Sequence, residues 1–163
     1  MHTLQSTFTI KDILSTAPYN PALWNLFIAE LAGIMQCNSG FLAIADLSRR
    51  GGFHHLYRYN IHPEQQSCFE RNLCKAGSFE ASVAKQPHQV LCSTMLNASH
   101  RHDSSPEPDV PEKLYRFGVS FPLNSRYAYC LVLNGSHTDA EPELQASMQR
   151  LQALVPSLQI ALQ

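Results

Sequence analysis

Residues 18–47 constrain this chain more than any other stretch. They include Asn20-Pro-Ala-Leu-Trp24 and close on Ser39-Gly-Phe-Leu-Ala-Ile-Ala-Asp-Leu47. Trp24, Phe27, Ile28, Leu31, Ile34 and Met35 recur at helical spacing and predict one buried helix face. Asn20 is placed to cap that helix, and Pro21 suits a first turn where the missing N–H is not needed. Asn38-Ser-Gly40 is expected to stop it with a residue that tolerates positive φ. The apolar run 41–47 then reads as a strand. A one-faced helix followed at once by an apolar strand calls for a sheet with helices packed on it.

The rest of the chain supplies that sheet. Ser48-Arg-Arg-Gly-Gly52 is a turn, and the aromatic-rich 53–61 a second strand, so the two strands form a hairpin. His62-Pro63 breaks it. Residues 63–76 read as a helix with Phe69 and Leu73 on its apolar side, and 78–85 as a shorter helical turn ended by Pro87. A short strand follows at 89–93. Residues 97–113 hold three prolines and three serines and read as a flexible surface loop. Strands 118–123 and 127–134 form a second hairpin across Asn124-Ser-Arg126, with Pro122 at an edge, a bulge or a strand end. Thr138 and Glu141 have capping-box spacing ahead of a last helix, with Asp139 a competing cap. Pro156 should kink that helix or start a new turn. Residues 1–17 read as an arm or a short helix. The expected architecture is one α+β domain spanning 1–163. Its antiparallel sheet of about five strands carries the helices at 20–36 and 140–162 together on one face.

Composition narrows the function classes. A chain of 163 residues buries a core without disulfides or metal. Net charge is −1 and the cations are scattered, apart from Arg49-Arg50, so this segment alone is not expected to bind nucleic acid. Five cysteines, an odd number with no CxxC pair, follow a polar N-terminus without a signal peptide. Reduced thiols in a cytoplasmic protein are expected. No apolar run approaches the ~18–20 residues that span a bilayer.

No catalytic signature is present: no phosphate loop, nucleophile elbow, paired-acid or zincin motif. His100-Arg-His102-Asp103 is a metal-like cluster, but it sits in the Pro/Ser loop, where polar residues accumulate anyway, and no metal or cofactor is expected. His54 and His55 point to opposite faces of a strand. Cys68 and Cys74, six apart on a predicted helix, lie on different faces. The aromatic set Tyr57, Tyr59, Phe69, Phe79, Phe121, Tyr127 and Tyr129 is the candidate lining of a small-molecule cavity between sheet and helices. An ordinary core would have the same sequence signature. The two terminal helices carry broad apolar stripes: Trp24, Phe27 and Leu31 on the first, and Leu144, Met148, Leu151, Leu154 and Leu158 on the last. Surplus apolar surface of this kind points to a homodimer interface.

Three stretches resemble the GAF-like sensing region that precedes a LuxR-type helix-turn-helix in bacterial transcription regulators. They are Asn20-Pro-Ala-Leu-Trp24 with Leu31-Ala32 and Ser39-Gly-Phe-Leu42; Tyr59-Asn-Ile-His-Pro-Glu64; and Leu151-Gln-Ala-Leu-Val-Pro-Ser-Leu-Gln-Ile-Ala-Leu162. Serine stands at 157 where the family often has histidine, and the 163 residues include no DNA-binding domain. The resemblance implies a GAF-like fold and a regulatory sensor and dimerisation domain. The pocket pattern of the autoinducer-binding branch has no residue-by-residue match, so no acyl-homoserine lactone is implied. Two other readings stand beside it. One is an interaction module without ligand. The other is a small GAF-fold redox enzyme similar to free methionine sulfoxide reductase, whose cysteine motif is not matched here.

Overall fold

The computed structural model describes residues 10–48, 52–61, 71, 75, 77–93, 114–136 and 141–163. The expected helix over 63–76, the loop 97–113, the His100–Asp103 cluster, Phe69, Cys68, Cys74 and the Thr138 cap lie largely or wholly outside them.

Residues 10–16 form helix α1, and a 3-10 turn, Ala17–Tyr19, leads into helix α2, Ala22–Ile34. Asn20 does not cap α2 with its side chain. Pro21 occupies the cap position, and the carbonyls of Asn20 and Pro21 accept from the Leu23 and Trp24 N–H groups at 3.0 and 3.1 Å. Nor does Gly40 stop the helix. Gln36 takes the left-handed conformation at φ 55°, and Cys37 N–H closes back on the Ala32 carbonyl at 2.7 Å.

Five strands follow: β1 Ser39–Asp46, β2 Gly52–Tyr59, β3 Leu91–Cys92, β4 Leu114–Pro122 and β5 Tyr127–Ser136. Between β2 and β3 lies helix α3, Phe79–Lys85, capped by the Ser78 hydroxyl, which accepts from Ala81 N–H at 3.0 Å. The C-terminal helix α4 is Glu141–Ala161 and passes through Pro156 without a break in its assignment. The strands pair antiparallel in the order β2-β1-β5-β4-β3. The expected α+β sheet is therefore present. Its strand β4 begins at Leu114, earlier than the expected 118, and β3 is shorter than the expected 89–93. Pro122 is the last residue of β4, where its missing N–H costs no ladder bond. A bulge between Leu42 and Ala43 shifts the β1–β2 register.

The two sheet faces are chemically different. On one, Leu42, Phe117, Val119, Phe121, Leu131 and Leu133 meet Trp24, Phe27, Ile28 and Leu31 of α2, Ile10, Ile13 and Leu14 of α1, and Leu151, Leu154, Val155 and Leu158 of α4. Both long terminal helices thus cover one face, as their stripes predict. Gly40 makes the close approach of α2 possible. A Cβ there would stand 2.6 Å from Leu133 Cδ2 and 3.2 Å from an Ile28 methyl. Helix α4 is also tied to the start of β3. Gln152 accepts from Val90 N–H and donates to the His88 carbonyl, both at 3.0 Å. The second face carries Phe41, Ala43, Ala45, Cys130 and Val132, and α3 lies over it.

Candidate functional site

The face under α3 is built from one half of each strand's period-two pattern. In β4, Tyr115, Phe117, Val119 and Phe121 go to the apolar core, and Arg116, Gly118 and Ser120 alternate with them. Gly118 lets α3 sit against the sheet. A Cβ there would stand 2.8 Å from Val83 and 3.0 Å from the Phe79 ring. Ser120, fully buried, donates from Oγ to the Val83 carbonyl at 2.6 Å, which fastens the end of α3.

All five buried polar residues among those described lie on this side of the sheet: Ser39, Glu80, Ser93, Ser120 and Asn134. Buried polar groups are the informative exceptions in a protein interior. Their placement follows from the ladder. Ser39 is paired with Asn134, and Asn134 with Arg116, across β1, β5 and β4. Ser93 extends the row past β3, and its Oγ accepts from Arg116 N–H at 2.8 Å. Asn134 Nδ2 donates to Ser39 Oγ at 3.3 Å. Above the row, Arg116 Nη1 donates to Glu80 Oε1 in an ion pair whose glutamate is 1% exposed. The guanidinium also lies 4.9 Å over the Phe79 ring.

A second charged group caps the far end of the sheet. Arg126 holds Asp46 through bonds of 2.9 and 3.2 Å and stacks over Tyr127 at 5.1 Å. Hydrogen bonds from Arg126 first, and then from Ser48, hold the Asp46 carboxyl well below the usual carboxylate range. This pair ties the end of β1 to the β4–β5 turn at the surface.

The aromatic set expected to line one cavity is divided by the sheet. Tyr57, Phe121 and Tyr129 belong to the helix-covered face, where Tyr57 stacks on Trp24 at 6.1 Å. Strand register puts Tyr59, paired with Gly40, and Tyr127, paired with Asp46, on that side too. Phe79 is on α3, across the sheet. Phe69 lies outside the described residues. Of its described members, only Phe79 therefore stands at the polar row. The expected interface stripe is likewise part of the chain's own core. Trp24, Phe27, Leu31, Leu151, Leu154 and Leu158 are buried, with Leu144 and Met148 half-buried against them. The residues that sequence reasoning missed are Glu80, Arg116, Ser39, Ser93 and Asn134. Their signal was the alternation Tyr115-Arg-Phe-Gly-Val-Ser-Phe121, hidden because the strand was begun at Gly118.

Cys37, Cys92 and Cys130 are free and buried. Burial pushes the Cys130 thiol up to about 12, and burial with Cys92 nearby does the same for Cys37. Such thiols stay protonated and unreactive at neutral pH. Among the described residues, no three or more His, Cys, Asp or Glu are grouped to hold a metal ion, and no helix is long and apolar enough to cross a membrane.

No family model matches the chain, and no curated protein does. Solved structures do. The A. aeolicus nlh2 GAF domain in an inactive state superposes with a TM-score of 0.60 at 12% identity, covering 98% of this chain and 94% of that one. The VqsR ligand-binding domain (LBD) from Pseudomonas aeruginosa gives 0.56 at 12% identity, with 89% and 91% covered. The GAF domain of a protein described as a sensor histidine kinase, from Pseudomonas syringae pv. tomato, gives 0.55 at 13% identity, with 99% and 89% covered. At these identities the likeness shows the fold: the chain is GAF-like.

Proposed function

We propose that this chain is the small-molecule-sensing and dimerising domain of a bacterial LuxR-type transcription regulator, acting in the cytoplasm and without catalysis of its own. The observation that carries the sensing role is the division of labour between the two sheet faces. One has an apolar centre filled by both terminal helices. The other gathers every buried polar residue among those described beneath a seven-residue helix. Ligand sites combine apolar walls with a few placed polar groups, and the α3 face has that composition. Solved domains of the same shape include one whose description names ligand binding and one from a sensor kinase. The resemblance of 151–162 to the helix before a helix-turn-helix supplies the regulator context.

The redox-enzyme reading is weakened by its own chemistry, because the three described cysteines are buried and burial makes Cys37 and Cys130 hard to ionise. A thermal-shift screen of uncharged and charged metabolites, with hits mapped by backbone amide shifts, tests the sensor. Hits that move the Phe41, Gly118 and Val132 amides support it. A folded chain that no small molecule engages on that face favours the ligand-free interaction module.

A further inference from the structure

The geometry points to the chemical class that the α3 face receives: a small carboxylic acid bearing a hydroxyl or amino group beside its carboxylate. This inference rests on the sensing role and adds the ligand class and the residues that hold it.

Arg116 is unusually well prepared. Its Nη1 is bound to Glu80, its plane lies over Phe79, and its own N–H is held by Ser93. Its Nε and Nη2 nitrogens have no hydrogen-bond partner among the described residues. An arginine whose orientation is fixed and whose outer edge is unused offers the two parallel donors that suit a carboxylate. Glu80 already balances the Arg116 charge, so the one added negative charge of a carboxylate is tolerated better than the two of a phosphate.

Next to it are unused acceptors. Asn134, only 8% exposed, gives its Nδ2 to Ser39, and its Oδ1 has no partner among the described residues. Glu80 Oε2 is in the same position. Buried acceptors without donors are costly, and a ligand donor relieves that cost. Arg116 and Asn134 are direct cross-strand neighbours, so their Cβ atoms stand about 5 Å apart. A carboxylate on the Arg116 edge therefore lies beside these acceptors, and a hydroxyl or amino group next to it is the donor they lack.

Glycolate and L-alanine are the probes, with glycolamide and L-alaninamide as counterparts lacking the carboxylate. Side-chain NMR on protein labelled with 15N arginine and asparagine should show the Arg116 Nε–H and Asn134 amide signals moving with the acids. The acids should bind at least about tenfold tighter than the amides. Asn134→Asp offers Arg116 an internal carboxylate and should weaken the acids by at least about tenfold while the chain stays folded. The double variant Glu80→Gln, Arg116→Gln, which leaves no stranded charge, should lose acid binding as well. Equal affinity for acids and amides, or acid binding indifferent to Asn134→Asp, overturns the assignment. If uncharged compounds move the Phe41 and Val132 amides and the acids move nothing, the carboxylate class falls and the sensor stands. If neither set moves any signal of the face, both fall.

Discussion

Of the two partners in the Glu80–Arg116 pair, the glutamate is 1% exposed and the arginine 29%, so losing either one leaves a different remainder. Arg116→Ala strands a carboxylate out of reach of water and should cost about 3 kcal/mol or more. Glu80→Gln leaves a guanidinium that still reaches solvent, and should cost about 1–2 kcal/mol. Urea unfolding of the two variants checks the order, and a reversed order would show that the glutamate is not the desolvated partner. At the other end of the sheet, Asp46 predicts an acid limb. Its folded pKa lies below the ordinary 3.8, so its contribution is present above that value and fades as pH falls beneath it. Asp46→Asn should therefore flatten the loss of stability below about pH 4 and change little above pH 7 except a constant offset. Of these four residues, Asp46 and Arg126 flank readable turns. Glu80 and Arg116 lie far apart in sequence, and only the docking of α3 on β4 joins them.

Helix α4 shows how a correct element can carry an incorrect surface. Its apolar residues read as more than one sheet contact could bury, yet the core takes in Leu151, Leu154, Val155 and Leu158 wholly and Leu144 and Met148 by half. Replacing Leu151 and Leu158 with Glu should therefore unfold the chain rather than release a folded monomer, since each would place an unpaired charge in a filled core. Circular dichroism with sedimentation distinguishes the two outcomes. Helix α3 depends on a missing side chain. Gly118→Ala forces its new Cβ against Val83 and Phe79, at a cost of about 1–3 kcal/mol. Hydrogen exchange should rise in 79–85 and stay unchanged in 22–34, because α2 packs on the opposite face. Equal loosening of both helices would mean that the sheet, not the α3 contact, had yielded. In the sequence, Gly118 is indistinguishable from a turn or bulge glycine.

For the whole molecule, the proposed dimer has to use what the core leaves over. Leu26 is 45% exposed on α2 and Ile160 72% exposed on α4. The only charges along 22–35 and 144–163 are Glu30 and Arg150, both on the exposed surface. A helix surface with so few charges suits a second copy of itself, and one acid with one base is self-complementary in a two-fold contact. Sedimentation should show a homodimer, and Leu26→Glu with Ile160→Glu should give a folded monomer at the same concentration. A wild-type chain that is monomeric at high micromolar concentration removes the dimer from the proposed function.

The sequence alone determined what depends on near neighbours. Period 3.6 in 24–35 and 144–158 located the terminal helices, apolar and aromatic runs between turn residues located the strands to within a few residues, and 78–85 read as the helical turn that is α3. The pairing of those terminal helices on one face also followed, because both stripes needed the same kind of cover. What remained invisible depended on register across the sheet. A side chain's face is set by strand pairing, and the bulge at Leu42 and Ala43 and the early start of β4 shift or reveal that pairing. The aromatics therefore could not be sorted between faces, and Ser39, Asn134, Arg116 and Ser93 could not be seen as one row. Whether the α4 stripe was surplus or consumed was decided by how much of it three helices and a sheet could bury together, a sum over the entire packed core.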